Sequence, residues 1–238
     1  MKIISQVLFL LLFSASISAQ EPQYYPVTFQ NIGKTYWKIG ALDISRNQDL
    51  DAHMRLYHCG IFQNYYTDDF SWRNIRNAVF HEIKRNKRTY PSFYEFHAPI
   101  NLDRYDFDAQ QFLLSKETML QQVNILPLVN NESFKPYCGL EKSVKQFPDY
   151  ATISFKKSFD FLAVPMEEKQ AENLIARFKE EKNAERLVFM KIKFQVSDFD
   201  LVKEAIGSNS IQLYGHFKKV EVFLDKESQN LIYEAKIK

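Results

Sequence analysis

An α+β fold with a mostly antiparallel sheet is predicted by two periodicities that occupy separate blocks of the sequence. Apolar residues recur every three or four positions between Leu50 and Ile83 and again after Pro165, and every second position after Pro91 and from Met190 to Ile237. Strands and helices grouped in runs, without regular alternation, favour an antiparallel sheet over a parallel βαβ arrangement. The expected arrangement is two N-terminal helices, a set of strands, and one helix before the C-terminal strands.

The first 19 residues have a separate logic. Met1-Lys2 is a short positive start, Val7 to Phe13 is unbroken apolar, and Ser14 to Ala19 is rich in small residues. That is the layout of a secretory signal peptide. Cleavage is expected after Ala19, with a cut after Ser18 as the alternative. The apolar run is shorter than the roughly 20 residues that span a bilayer. No cysteine lies near either cut, so lipid modification there is not expected. The sequence therefore divides into a signal peptide at 1–19 and a single exported α+β domain at 20–238. The loop-rich stretch near 140–150 is where a subdivision of that domain would fall. The mature chain is expected to be soluble, without a transmembrane segment, and periplasmic or secreted.

Residues 20–45 carry Pro22, Pro26, Gly33 and Gly40 around short aromatic stretches and read as irregular. Leu50, Met54, Tyr57, Ile61 and Tyr65 follow helical spacing, with Gly60 inside the pattern. Asp68-Asp69 offers an N-cap to a second helix carrying Trp72, Ile75, Val79 and Ile83. Its end collects Lys84, Arg85, Lys87 and Arg88, which suits the negative pole of the helix dipole. Pro91 stops it.

After Pro91, Phe93 to Phe96, Arg104 to Phe107 and Phe112 to Leu114 read as strands. Val123 to Val129, Thr152 to Phe155 and Ser158 to Val164 extend the set. Pro165 with Glu167-Glu168 opens a helix whose apolar stripe is Ala171, Leu174, Ile175 and Phe178. Met190 to Val196 alternates as a half-buried strand. Val220 to Leu224 and Leu231 to Ile237 form a hairpin around Asp225 to Ser228.

Composition excludes some functions. Lys and Arg number 31 against 29 Asp and Glu, a net charge of +2, which argues against an electrostatic nucleic-acid binder. The six glycines form no phosphate-cradling loop. Gly207-Ser208-Asn209 lacks the second glycine of a nucleophile elbow. His81-Glu82 begins like a zinc-protease helix, but Arg85 stands where a second imidazole would face the metal. His53, His58 and Cys59 are the densest soft-metal ligands. Five residues along a continuous helix is about 140° around its axis, so His53 and His58 would not share a face. No metal site and no cofactor are expected from them.

Cys59 and Cys138 are the only cysteines. In an oxidising compartment they would form a disulfide closing a long loop; otherwise they are two buried thiols. Asp106 and Asp108, placed in a strand, would share one face. Two carboxylates there would serve acid–base chemistry or calcium, whereas a solvated outer strand face needs no such role. Aromatics are abundant, with 21 Phe, 13 Tyr and 2 Trp, and most occupy the inward phase of a helix or strand. Tyr36, Trp37, Tyr65 and Tyr66, with Tyr24-Tyr25, are the candidates for an exposed binding surface.

Cys59-Gly60-Ile61-Phe62-Gln63-Asn64-Tyr65-Tyr66, followed by Asp68-Asp69-Phe70-Ser71-Trp72-Arg73-Asn74-Ile75, resembles the helical opening of an uncharacterised family of exported proteins from Gram-negative bacteria, a domain of unknown function. Phe93 to Phe96 and Tyr105 to Phe107 resemble that family's next segment. Pro165 to Ala171 and the strand from Val188 resemble its second half. The resemblance implies export and one architectural unit, and supplies no site residues.

The function expected is a non-catalytic binding or envelope-interaction domain, with an envelope protein or a glycan as partner and no nucleic acid. The rival is a hydrolase acting on an envelope polymer, in which Asp106, Asp108 and His97 would act. A convergent polar cleft would favour the hydrolase, and an exposed aromatic patch the interaction domain.

Overall fold

The computed structural model describes residues 21–129, 138, 147–148, 150–202 and 210–237. The expected signal peptide lies outside the described residues, as does most of the stretch near 140–150. Chain order is β1 (Tyr25–Pro26), α1 (Phe29–Ile39), α2 (Asn47–Tyr57), α3 (Cys59–Tyr65), α4 (Asp69–Asn86), β2 (Phe93–Asp106), β3 (Gln111–Leu114), β4 (Leu120–Val129), β5 (Tyr150–Phe161), β6 (Ala163–Pro165), α5 (Glu168–Glu180), β7 (Leu187–Val202), β8 (Ser210–Phe223) and β9 (Leu231–Lys236). The strands form one curled, mixed sheet in the order β4-β5-β8-β7-β2-β3-β6, with β1 beside β2 and β9 beside β8. Its pairings are antiparallel except β1–β2 and β5–β8. The α+β class holds.

The helix arrangement differs from the expected one. Four helices, not two, lie between β1 and β2. The stretch read as irregular contains α1. Thr28 is its N-cap, accepting from the Asn31 amide at 3.1 Å, and Gly40 closes it in the left-handed region at φ 87°. Phe29, Ile32, Gly33, Tyr36 and Trp37 form its buried stripe. The single helix expected from Leu50 to Tyr65 is two. His58, at φ −133° and ψ 49°, leaves the helical region between α2 and α3. The helix expected after Asp68 is α4, and Asp68 Oδ1 accepts from the Phe70 and Ser71 amides at 3.1 Å each. The segments expected as two strands, 93–96 and 104–107, are one strand, β2, irregular in its pairing with β3 between Leu102 and Tyr105.

Two faces follow from the period-two alternation of β7. Val188, Met190, Ile192, Phe194 and Val196 are buried, together with Tyr94, Ile100 and Leu102 of β2. α1 docks on this side. The Tyr94 hydroxyl donates to the Asn31 carbonyl at 2.8 Å and shares a short hydrogen bond with Thr35. Phe155 of β5 meets Phe194 edge-on and stacks on Phe217 of β8.

The opposite phase carries charge. Lys193 contacts Glu221 at 3.0 Å, and Lys219 contacts Glu221 and Glu234 at 2.8 Å each. Lys191 reaches Glu95 at 3.5 Å. Residues 21–24 cross over this layer, placing Glu21 3.6 Å from Lys193 and the Tyr24 ring 4.8 Å beneath its ammonium. Burial would raise the Glu221 pKa, but Lys219 and Lys193 outweigh it and hold the carboxyl below the usual range. Every lysine named on this face has an acidic partner.

Candidate functional site

The helices bring one group of aromatic side chains to the surface. α3 buries none of its own residues, and it is tied down at its first residue by the Cys59–Cys138 disulfide, with Cα atoms 5.1 Å apart. Four large apolar side chains stand exposed from α3 to the first turn of α4: Ile61 at 42%, Tyr65 at 45%, Tyr66 at 46% and Phe70 at 86%. Beneath them the packing is ordered. Phe62 stacks on Tyr66 at 4.4 Å, and both rings lie edge-on to Trp72, at 5.5 and 5.2 Å. The Trp72 indole donates to Asp51 at 2.9 Å, and Arg76 grips the same carboxylate with two hydrogen bonds of 2.6 Å. The Arg55 guanidinium lies 5.0 Å over the Phe62 ring. The exposed rings are therefore held on a braced base, not on a loose loop.

Two of the four expected binding aromatics are in this patch and two are not. Tyr65 and Tyr66 are exposed side by side. Tyr36 and Trp37 are each 2% exposed, because α1 turns that pair of adjacent positions into the core. Burial raises the Tyr36 hydroxyl well above its ordinary pKa. Neither residue presents a face to a ligand. Tyr24 lies over the charged sheet face, edge-on to Phe93 at 5.7 Å. Ile61 and Phe70 were not anticipated. Phe70 carries a readable signal: it is out of phase with the Trp72, Ile75, Val79 and Ile83 stripe, so the helix could not bury it.

Below this surface, one ligating atom each from His53, His58 and Glu82 lie within 4.8 Å of one another. The break at His58 makes this possible, since the 140° separation applies only along an unbroken helix. The donor set suits zinc. Its outer partner does not. The Trp37 indole N–H donates to His53 Nδ1 at 3.1 Å, so Nδ1 must carry the lone pair and Nε2 the proton. A metal-bound imidazole normally has the reverse, donating its second N–H to an acceptor. The one lone pair that His53 could offer a cation is therefore already engaged by Trp37. Burial, then His58 and Lys34, lower the His53 pKa to about 3, which keeps the ring neutral.

The acidic residues of the hydrolase reading do not converge. β2 ends at Asp106, whose Oδ1 accepts from the Asp108 and Ala109 amides at 3.0 and 2.9 Å and so caps the turn into β3. Asp108 lies in that turn, so the two do not share a strand face. His97 pairs with Glu95 at 3.1 Å, nine residues back along the same strand and roughly 30 Å away at about 3.3 Å per residue. Among the described residues, no helix is long and apolar enough to cross a membrane.

A family model described as Domain of unknown function (DUF4852) matches residues 45–177, more than half of the chain. The matched span takes in α2 to β6, both cysteines and the whole aromatic patch. No curated protein and no solved structure matches.

Proposed function

We propose, for a chain that belongs to the family of domains of unknown function DUF4852, a role as an exported binding domain that docks a protein partner through Ile61, Tyr65, Tyr66 and Phe70. The observation that carries this reading is Phe70, 86% exposed beside three other apolar side chains on a braced helical base. Aromatic residues fixed in place are the usual anchors of protein interfaces, because little side-chain entropy remains to be lost on binding. A protein surface fits better than a glycan. The Tyr66 ring is engaged with Phe62 and Trp72, and Ile61 and Phe70 offer no hydrogen-bonding group to a sugar. Export is supported by the leader-like pattern of residues 1–19 and by the Cys59–Cys138 bond, since disulfides persist in oxidising compartments.

A photoreactive residue at position 65, in the full chain expressed in bacteria, tests both parts. The expected result is a discrete cross-linked adduct in the envelope fraction, absent when the probe sits at Lys179 on α5. Uncleaved protein in the cytoplasm contradicts export. Adducts of equal yield from both positions contradict docking through the patch.

A further inference from the structure

A second surface, remote in chemistry from the aromatic one, lies where β8 changes partners. Its first half pairs in parallel with β5, from Tyr150↔Ser210 to Phe155↔Gly215. Its second half pairs with β9, from Lys219↔Lys236 onward. Beyond Phe155 the β5–β8 pairing ends, while the other edge of β5 stays paired with β4 through Val123↔Phe159 and Leu120↔Phe161. The end of one pairing and the start of the other leave a wedge beside His216, Phe217 and Lys218. Ile237 closes its far end, donating its amide to the Lys218 carbonyl at 3.0 Å. The resulting cavity has a volume of about 370 Å³, within the lower range of small-ligand sites.

The chemistry of the wedge is one-sided. Among the described residues its walls hold Lys156, Lys157, Lys218 and His216 and no acidic residue. Its apolar parts are Phe155 and Phe217, stacked at 3.7 Å, with Ile237. Among the described residues none of these three lysines has an acidic partner. The next residue along β8 shows the contrast. Lys219 meets Glu221, Glu234 and Glu21. The lysines around Glu221 are neutralised within the fold, whereas those lining the wedge have no acidic partner among the described residues. Three lysines without an acidic partner among the described residues, lining a cavity with a small apolar wall, suit a compact multivalent anion. A monocarboxylate would answer one of them. A phosphate group, carrying close to two charges and three strong acceptor oxygens, answers several at once.

We infer that the wedge between β5, β8 and β9 binds a phosphate ester, its phosphate held by Lys156, Lys157 and Lys218 and its apolar part against Phe217 and Ile237. The shared chemistry could come from a soluble phosphate monoester or from a phospholipid headgroup. Calorimetric titration of the full chain with inorganic phosphate and with glycerol phosphate tests the site. Sedimentation with phosphatidylglycerol vesicles, set against phosphatidylcholine vesicles, distinguishes the source. Expected are saturable binding that weakens with added salt, and a roughly five- to tenfold loss for Lys218→Gln and again for the Lys156→Gln/Lys157→Gln pair. Lys182→Gln, on a different surface beyond α5, should leave binding unchanged. All four lysines are accessible enough for glutamine to be accommodated, and an unchanged melting temperature checks this. Vesicle binding competed by glycerol phosphate assigns the headgroup, and binding of the soluble ester alone assigns the free ligand. Absence of saturable binding by every phosphate compound overturns the site, as does binding that survives both sets of lysine substitutions.

Discussion

His53 shows how one hydrogen bond can decide the chemistry of a cluster. On α2 it has two further potential ligands nearby, yet Trp37 fixes its tautomer and occupies its one lone pair. The consequence is measurable. Added zinc should leave the melting temperature unmoved, and a rise of several degrees would show that the Trp37 bond had been surrendered to a metal. The pH dependence also follows. A folded pKa of about 3 against the ordinary 6.5 means that the unfolded chain binds the proton first as pH falls. Stability is therefore full above about pH 6.5 and declines towards pH 3, by on the order of 3–5 kcal/mol for this one group. His53→Gln should be less stable than the natural chain at pH 7, and the gap should narrow steadily in urea melts at pH 5 and pH 4. A gap that stays constant across that range would contradict a buried neutral imidazole.

At the level of elements, capping and periodicity were readable where they agreed, and failed where they had to be weighed together. Asp68 before the Trp72 stripe located α4, and the alternation from Met190 to Val196 located β7. α1 carried equally good signals: Thr28 and Gly40 at its ends, and apolar residues at 29, 32, 33, 36 and 37 between them. The glycines and prolines around it masked those signals, because Gly33 is tolerated inside the helix. Tyr57 and Phe147 pack so close that a side chain there would collide with the Tyr57 hydroxyl. The α2–α3 break was illegible for a different reason. His58 has no intrinsic tendency to end a helix, and the spacing of apolar residues continues straight through it. The next residue, Cys59, is covalently tied to one 79 positions away, a tertiary constraint that no local pattern reports. Replacing both cysteines by serine should lower stability by about 4–5 kcal/mol, from the freed loop entropy of the unfolded chain. Equilibrium unfolding measures it. A loss below about 1 kcal/mol would mean that the bond does not restrain the unfolded chain.

Across the whole molecule, the near-zero net charge hides an uneven distribution. The lysines around Glu221 are internally neutralised, the wedge lysines have no acidic partner among the described residues, and the helical side displays aromatic residues over the Arg76–Asp51 pair. Composition could not separate these three surfaces, since each arises from which strand or helix faces which. Tyr65 and Tyr66 are exposed because they stand at the end of α3, a helix that buries none of its own residues. Tyr36 and Trp37 were drawn inward by α1, the helix that its glycines and prolines concealed. Docking through the patch requires a separation of roles: the exposed side chains bind, and the braced layer of Phe62, Trp72, Asp51 and Arg76 folds. The Tyr65→Ser/Phe70→Ser protein tests that separation most directly, with its melting temperature and its retention of the cross-linked partner measured on the same preparation. The expected result is a melting temperature within about 2 °C of the natural chain, as befits exposed positions, and at least a roughly tenfold weaker retention. Undiminished retention by a folded variant would contradict docking through these side chains.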